Sequence, residues 1–140
     1  MRRGEIIQVA GSVVDVRFPC GSLPRIREAL RVDLDGKQRV MEVAQHLSAE
    51  TVRCIMLTES EGLARGMVVT GEGSGLRVPV GKCTLGRLFN VFGDAIDGGE
   101  AIGADEPRRG IHRKPPAFDE QDPSVDILET GIKVIDLLEP

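Results

Sequence analysis

Between residue 5 and about residue 80 the chain is cut into short runs in which apolar and polar side chains alternate, each bounded by Gly, Pro, Asp or Ser. Successive side chains of a strand point to opposite faces, so period-two alternation marks a strand with one buried and one wet face. The qualifying runs are EIIQVAG (5–11), SVVDVRF (12–18), ALRVDL (29–34), QRVMEVAQ (38–45), TVRCIML (51–57) and GMVVTG (66–71). In the second run Val14, Val16 and Phe18 face one way, and Asp15 and Arg17 the other. In the third, Leu30, Val32 and Leu34 alternate with Arg31, Asp33 and Asp35. Asp35-Gly36 joins the third run to the fourth as a hairpin signal, because a tight primed turn needs positive φ. About six short strands so closely spaced predict a sandwich or a barrel, and closure removes the open edges that invite aggregation. The expected architecture is a closed six-stranded barrel in a mainly β chain.

The pattern changes after Pro79. Leu85, Leu88, Phe89 and Phe92 fall at i, i+3, i+4 and i+7, which predicts a short helix following Lys82. Residues 104–123 hold Pro107, Pro115, Pro116 and Pro123 and read as an extended connector. DILETGIKVIDLLEP (126–140) reads as a helix with Leu128, Ile132, Ile135 and Leu138 among its apolar residues, ended by Pro140. An apolar helix after a long linker is expected to open a second domain, so the division is a barrel over residues 1–80 and a linker with a truncated domain start over 81–140.

The 140 residues suffice for one core and a fragment. A hydrophobic fraction of 41% with 29% charged residues is that of a folded globular chain. No apolar run approaches the ~18 residues of a spanning helix, and MRRGEIIQVAG lacks the apolar stretch of a signal peptide, so a cytosolic location is expected. Cys20, Cys54 and Cys83 are odd in number, widely spaced and without a C-x-x-C, which points to reduced thiols. Cys54 is in phase with Val52 and Met56 and is expected in the core. A net charge of −4, no Trp, no Tyr and scattered Phe residues argue against nucleic-acid binding.

Several segments imitate chemical sites. GLRVPVGKCT (75–84) has a strand-like run, a Gly-Lys and an expected helix in the order of a phosphate loop. Such a loop needs G-x-x-x-x-G-K and then Ser or Thr; here five residues separate Gly75 from Gly81, and Cys83, a poor ligand for a hard cation, follows Lys82. A domain-boundary turn is the better reading. Asp136 in IDLL could be a magnesium-coordinating carboxylate at a strand end, but Lys133 interrupts the apolar run and favours a helix. RRGIHRK (108–114) could hold an anion, yet no Gly-rich nest or aromatic lies near it, and a solvated linker is expected. His46 and His112 lack metal-ligand spacing, and GEGSG (71–75) reads as a flexible turn. No catalytic, cofactor-binding or metal-ligating residue is assigned.

Taken in order, GEIIQVAGSVVDVRFP with LPRIREAL, then MEVAQHL, GLARGMVV, VPVGKCTLGRLFNVFGDAID, IHRKPPAF and ILETGIKVIDLL carry a family likeness along essentially the whole chain. Together they resemble the beta, or catalytic, subunit of the F-type ATP synthase. QHL followed by GKCTLGRLFNV points to beta over the related alpha subunit, the vacuolar-type subunits and the flagellar export ATPase. The resemblance implies an amino-terminal six-stranded barrel, a central α/β nucleotide-binding domain and a helical domain, of which only the first is complete here. It also implies ATP or ADP with magnesium in the whole subunit, but that family's P-loop, its water-activating acid and its magnesium ligand lie beyond the region matched by Leu138. None is carried onto a residue of this chain.

The partners implied are alpha subunits in an alternating hexamer and a central stalk, on the cytoplasmic face of a membrane whose proton or sodium flow drives ATP synthesis. The resemblance gives this part the task of holding the hexamer together. Two positions depart from the commonest family pattern: Cys83, where a small residue such as Ala is usual, and Asp94-Ala95, where Glu-Pro is usual. The alternative reading is a free-standing barrel that serves as an interaction or assembly module without ATPase function.

Overall fold

The computed structural model describes residues 2–121, 127 and 129–138. Residues 2–71 form a closed barrel of six strands: β1 (Arg2–Ala10), β2 (Val13–Arg17), β3 (Ala29–Leu34), β4 (Lys37–His46), β5 (Thr51–Met56) and β6 (Val68–Gly71). Around the barrel the order is β1-β2-β5-β4-β3-β6, every pairing is antiparallel, and β6 returns to β1 to close the ring. The expected runs match these strands, with β1 starting earlier, at Arg2.

One core fills the barrel, and each strand contributes to it. Ile6, Val14, Val16, Leu30, Val32, Met41, Val43, Val52, Cys54, Met56 and Val69 point inward, and Phe18 closes on them just beyond β2. Two bulges keep the inward phase in register. In β1 the pairing slips between Ile6 and Gln8, so that Ile6 (opposite Val16) and Val9 (opposite Val14) share the inner face although three positions apart. In β4 the slip between Val43 and Gln45 sends the strand on to His46 at the barrel's end. The β3–β4 turn has Asp35 at φ 54° and Gly36 at φ 75°, the positive pair that the Asp-Gly signal predicts.

Asp15 differs from expectation. The alternation makes it a wet residue, but it is only 6% exposed, because the cross-strand Arg53 folds over it. Arg53 Nε donates to Oδ1 at 2.8 Å and Nη2 to Oδ2 at 2.9 Å.

The helix expected after Lys82 does not form. Lys82–Thr84 make a single 3₁₀ turn, and Phe89 instead bridges to Ala95 in an antiparallel loop. Local side-chain acceptors outcompete helical hydrogen bonds here. Asn90 Oδ1 accepts from the Phe92 and Asp94 amides, at 2.9 and 3.0 Å, and Asp97 takes the Leu88 amide and the Arg87 guanidinium. Gly93, at φ 78° and packed against Pro79, completes the loop where a helix would need negative φ.

Two short strands, β7 (Arg77–Pro79) and β8 (Arg108–Gly110), pair into a separate two-stranded sheet. The connector is therefore partly structured, with a further 3₁₀ turn at Phe118–Glu120. The final helix is shorter than its periodicity predicts. It spans Lys133–Leu138 as α1, while residues 122–126, 128, 139 and 140 of the expected helix and linker lie outside the described residues.

Candidate functional site

The segment that imitates a phosphate loop is used to turn the chain. Arg77–Pro79 is tied to β8, Gly81 has φ 109° and ψ −167°, and the Thr84 amide and hydroxyl both donate to the Gly81 carbonyl, at 3.1 and 2.7 Å. A phosphate cradle needs several free amides converging on one point ahead of a helix, and a hydroxyl free for magnesium. Here the hydroxyl is spent on its own turn, and only one 3₁₀ turn follows. Partial burial and then the Glu106 carboxylate raise the Cys83 thiol above its ordinary pKa, which keeps it protonated.

The other sequence candidates serve as ties. His46 Nε2 donates to the Pro24 carbonyl at 2.8 Å, anchoring the long β2–β3 connection to the end of β4. His112 Nε2 meets Glu42 Oε2 at 2.8 Å, so the basic segment 108–114, expected as a solvated linker, is paired through β8 and docked on β4. Asp136 accepts from the Thr130 amide at 2.9 Å and the Gly131 amide at 3.0 Å, folding the approach to α1 onto the helix that carries it. Those bonds hold its carboxyl below the usual range, the Thr130 hydroxyl contributing most. GEGSG is held as well: the Gly73 amide donates to Glu28 at 3.0 Å and the Ala29 amide to the Ser74 carbonyl at 3.0 Å. Among the described residues no group of three His, Cys, Asp or Glu side chains could hold a metal ion.

Sequence reasoning missed Glu28. Its residue is 2% exposed, and its carboxylate accepts from Arg2 Nη1 at 3.0 and 2.9 Å, from the Arg25 amide at 3.0 Å and from the Gly73 amide at 3.0 Å. It knots the start of β1, the loop before β3 and the turn after β6. The Arg25 amide is a local partner, but Arg2 and Gly73, which make the tie, lie 26 and 45 positions away in sequence, and no local pattern marks them. Asp15 and Arg53 could have been paired once β2 and β5 were known to be neighbours, as they stand directly opposite.

The outer wall is polar except at a few large side chains, of which two mark opposite sides of the barrel. Ile55, on β5, is 47% exposed beside the half-buried Val13 of β2; Val68, on β6, is 59% exposed and borders a groove with Arg3, Glu5, Arg17 and Phe18. In the ring order β1-β2-β5-β4-β3-β6, strands β5 and β6 are three steps apart whichever way the ring is followed. The described barrel thus presents an apolar spot on each of two opposite walls.

Comparison with known families bears on the same residues. Residues 6–73 match the family model of the ATP synthase alpha/beta family, beta-barrel domain. The match runs from the inward Ile6 of β1 to the Glu28-bound turn after β6, so it coincides with the closed barrel. Over these residues the barrel is similar to the β-barrel domain of that family. No helix among the described residues is long and apolar enough to cross a membrane.

Proposed function

We propose that this chain is the amino-terminal part of the catalytic beta subunit of a rotary F-type ATP synthase, and that its barrel holds the subunit in a ring alternating with alpha subunits. The observation that carries this is the coincidence of the family match with a closed barrel whose exposed apolar spots, Ile55 and Val68, lie on opposite walls. A closed ring is built from heterologous contacts, which require two different faces on each member. The segments MEVAQHL and GKCTLGRLFNV support beta over alpha.

In this reading residues 1–80 are the crown barrel and residues 81–140 the linker and opening elements of an α/β nucleotide-binding domain. ATP or ADP with magnesium binds farther along the whole subunit, and no catalytic residue lies in this stretch. The complete subunit works at the cytoplasmic face of a membrane around a central stalk, where ion flow through the enzyme drives ATP synthesis. The exposed apolar residues of α1, among them Val134, Ile135 and Leu137, suit a helix that packs on a larger domain.

Sequencing the source gene past the codon for Pro140 tests the assignment. A G-x-x-x-x-G-K-[ST] motif within about 30 residues, after an apolar strand, is the expected result. A stop codon there favours the free-standing assembly module instead. Titration of the chain with Mg-ATP should show negligible binding; a dissociation constant near micromolar would contradict the absence of a site.

A further inference from the structure

A cleft of about 390 Å³ lies between the outer face of β3 and β4 and the connector strands β7 and β8. Three arginines from three elements line it: Arg31 of β3, Arg77 of β7 and Arg108 of β8. The whole chain carries a net charge of −4, whereas the charged residues lining the cleft are three arginines against two carboxylates, Glu72 and Asp94.

Their hydrogen bonding leaves donors free. Arg31 Nη1 donates to Gln38 Oε1 at 2.9 Å, and Arg77 Nη2 donates to the Arg108 carbonyl at 2.8 Å. Among the described residues none of the three is ion-paired, although six other pairs form elsewhere in the chain. Each guanidinium carries five N–H donors in a planar fork suited to oxyanions. Three forks from three elements need more acceptors than the two coplanar oxygens of a carboxylate, whereas a phosphate monoester offers three terminal oxygens arranged tetrahedrally.

The rest of the wall narrows the ligand. Glu72 and Asp94 also line the cleft; Asp94 Oδ2 accepts from Asn90 Nδ2 at 3.0 Å and its other oxygen, like the Glu72 carboxylate, can only accept, which disfavours a bare polyanion and suits hydroxyl donors on the same molecule. Leu76 and Phe92 give the space an apolar side. The volume is that of a small-molecule pocket and exceeds what one phosphate fills.

We propose that this cleft binds a small phosphorylated polyhydroxy molecule, with Arg31, Arg77 and Arg108 taking the phosphate and Glu72 and Asp94 the hydroxyls. It involves no residue of the phosphate-loop-like turn and depends on neither the subunit assignment nor the ring.

The test is amide-resolved NMR titration of the ¹⁵N-labelled chain with ribose 5-phosphate at low salt, with ribose and inorganic phosphate titrated separately. The expected result is saturable shifts confined to the amides around Arg31, Leu76, Arg77 and Arg108. Ribose alone should give none, and inorganic phosphate should bind about tenfold or more weakly than the sugar phosphate. Arg108→Gln, which keeps the main-chain carbonyl that Arg77 uses, should weaken binding about tenfold or more while leaving distant amides unmoved. Arg31→Gln, on an exposed strand face, should do the same without threatening the fold. Absence of saturable shifts, shifts centred elsewhere, or binding unchanged in both variants would overturn the site. Inorganic phosphate binding as tightly as ribose 5-phosphate would refute the role given to Glu72 and Asp94.

Discussion

Two buried side chains of β2 and β5 illustrate how the barrel treats reactive groups. Cys54 is fully buried, and desolvation, helped by the nearby Asp15 charge, pushes its thiol up to about 12. Only the thiolate attacks alkylating agents, so Cys54 should stay unmodified by iodoacetamide at pH 8 while the exposed Cys20 reacts. Mass mapping of the modified peptides checks this; Cys54 should label only once denaturant opens the barrel, and prompt labelling would contradict the packed core. Asp15 behaves in the opposite sense. The hydrogen bonds from Arg53, which outweigh burial, hold its carboxyl below the usual range. A depressed folded value means that the pair stabilises in full above the ordinary carboxylate pKa near 4, and that this is lost as pH falls through the lowered value. Arg53 is half exposed to solvent, so screening keeps the contribution modest. Asp15→Asn should lower the urea midpoint at pH 7, and its difference from the parent chain should shrink toward zero as the pH drops below about 4. A difference that grew on acidification would assign the stabilisation to another group.

At the scale of elements, Glu28 does for the barrel end what the hydrophobic core does for its middle. One carboxylate satisfies Arg2, the Arg25 amide and the Gly73 amide, joining β1, the approach to β3 and the exit from β6. Removing it leaves buried donors without an acceptor, which costs more than the bonds contribute net. Glu28→Ala should therefore destabilise by about 3 kcal/mol. Glu28→Gln, which keeps one carbonyl acceptor but loses the charge, should fall between; a Gln variant as stable as the parent would make the charge irrelevant, and a loss equal to that of Glu28→Ala would assign the whole effect to it. Equilibrium urea unfolding measures both. The contrast with the strands shows what sequence can carry. The alternation in ALRVDL and TVRCIML, and the Asp35-Gly36 turn, are local patterns and were legible as strands and hairpin. The helix expected from Leu85, Leu88, Phe89 and Phe92 failed because its spacing says nothing of Asn90 and Asp97, whose side chains capture the amides a helix would use. The polar knots, the pairing of β7 with β8 and the arginine cleft depend on which distant segments meet. Spacing along the chain does not encode that.

For the whole molecule, the proposed ring role turns on geometry more than on affinity. A barrel with one adhesive wall can form a pair, whereas a closed ring needs two walls, each meeting a different face of its neighbour. Ile55 and Val68 sit on strands half a circuit apart, and both are exposed enough to be changed without disturbing the inward core. Charge placed at either spot should cost assembly but not folding, since an exposed strand position tolerates substitution within about 0.5 kcal/mol. In the setting of the complete beta subunit combined with alpha, Ile55→Asp and Val68→Asp should each permit one alpha–beta contact and block the other. Native mass spectrometry should then show alpha–beta pairs in place of hexamers for either variant alone, and separated subunits for the double variant. Hexamers persisting in the double variant would mean that the barrel walls are not the adhesive faces, leaving the remaining domains to hold the ring. Loss of folding in the single variants, read from thermal unfolding, would place these side chains in the barrel's own stability. The paired design separates the outcomes because each wall is tested with the other left intact.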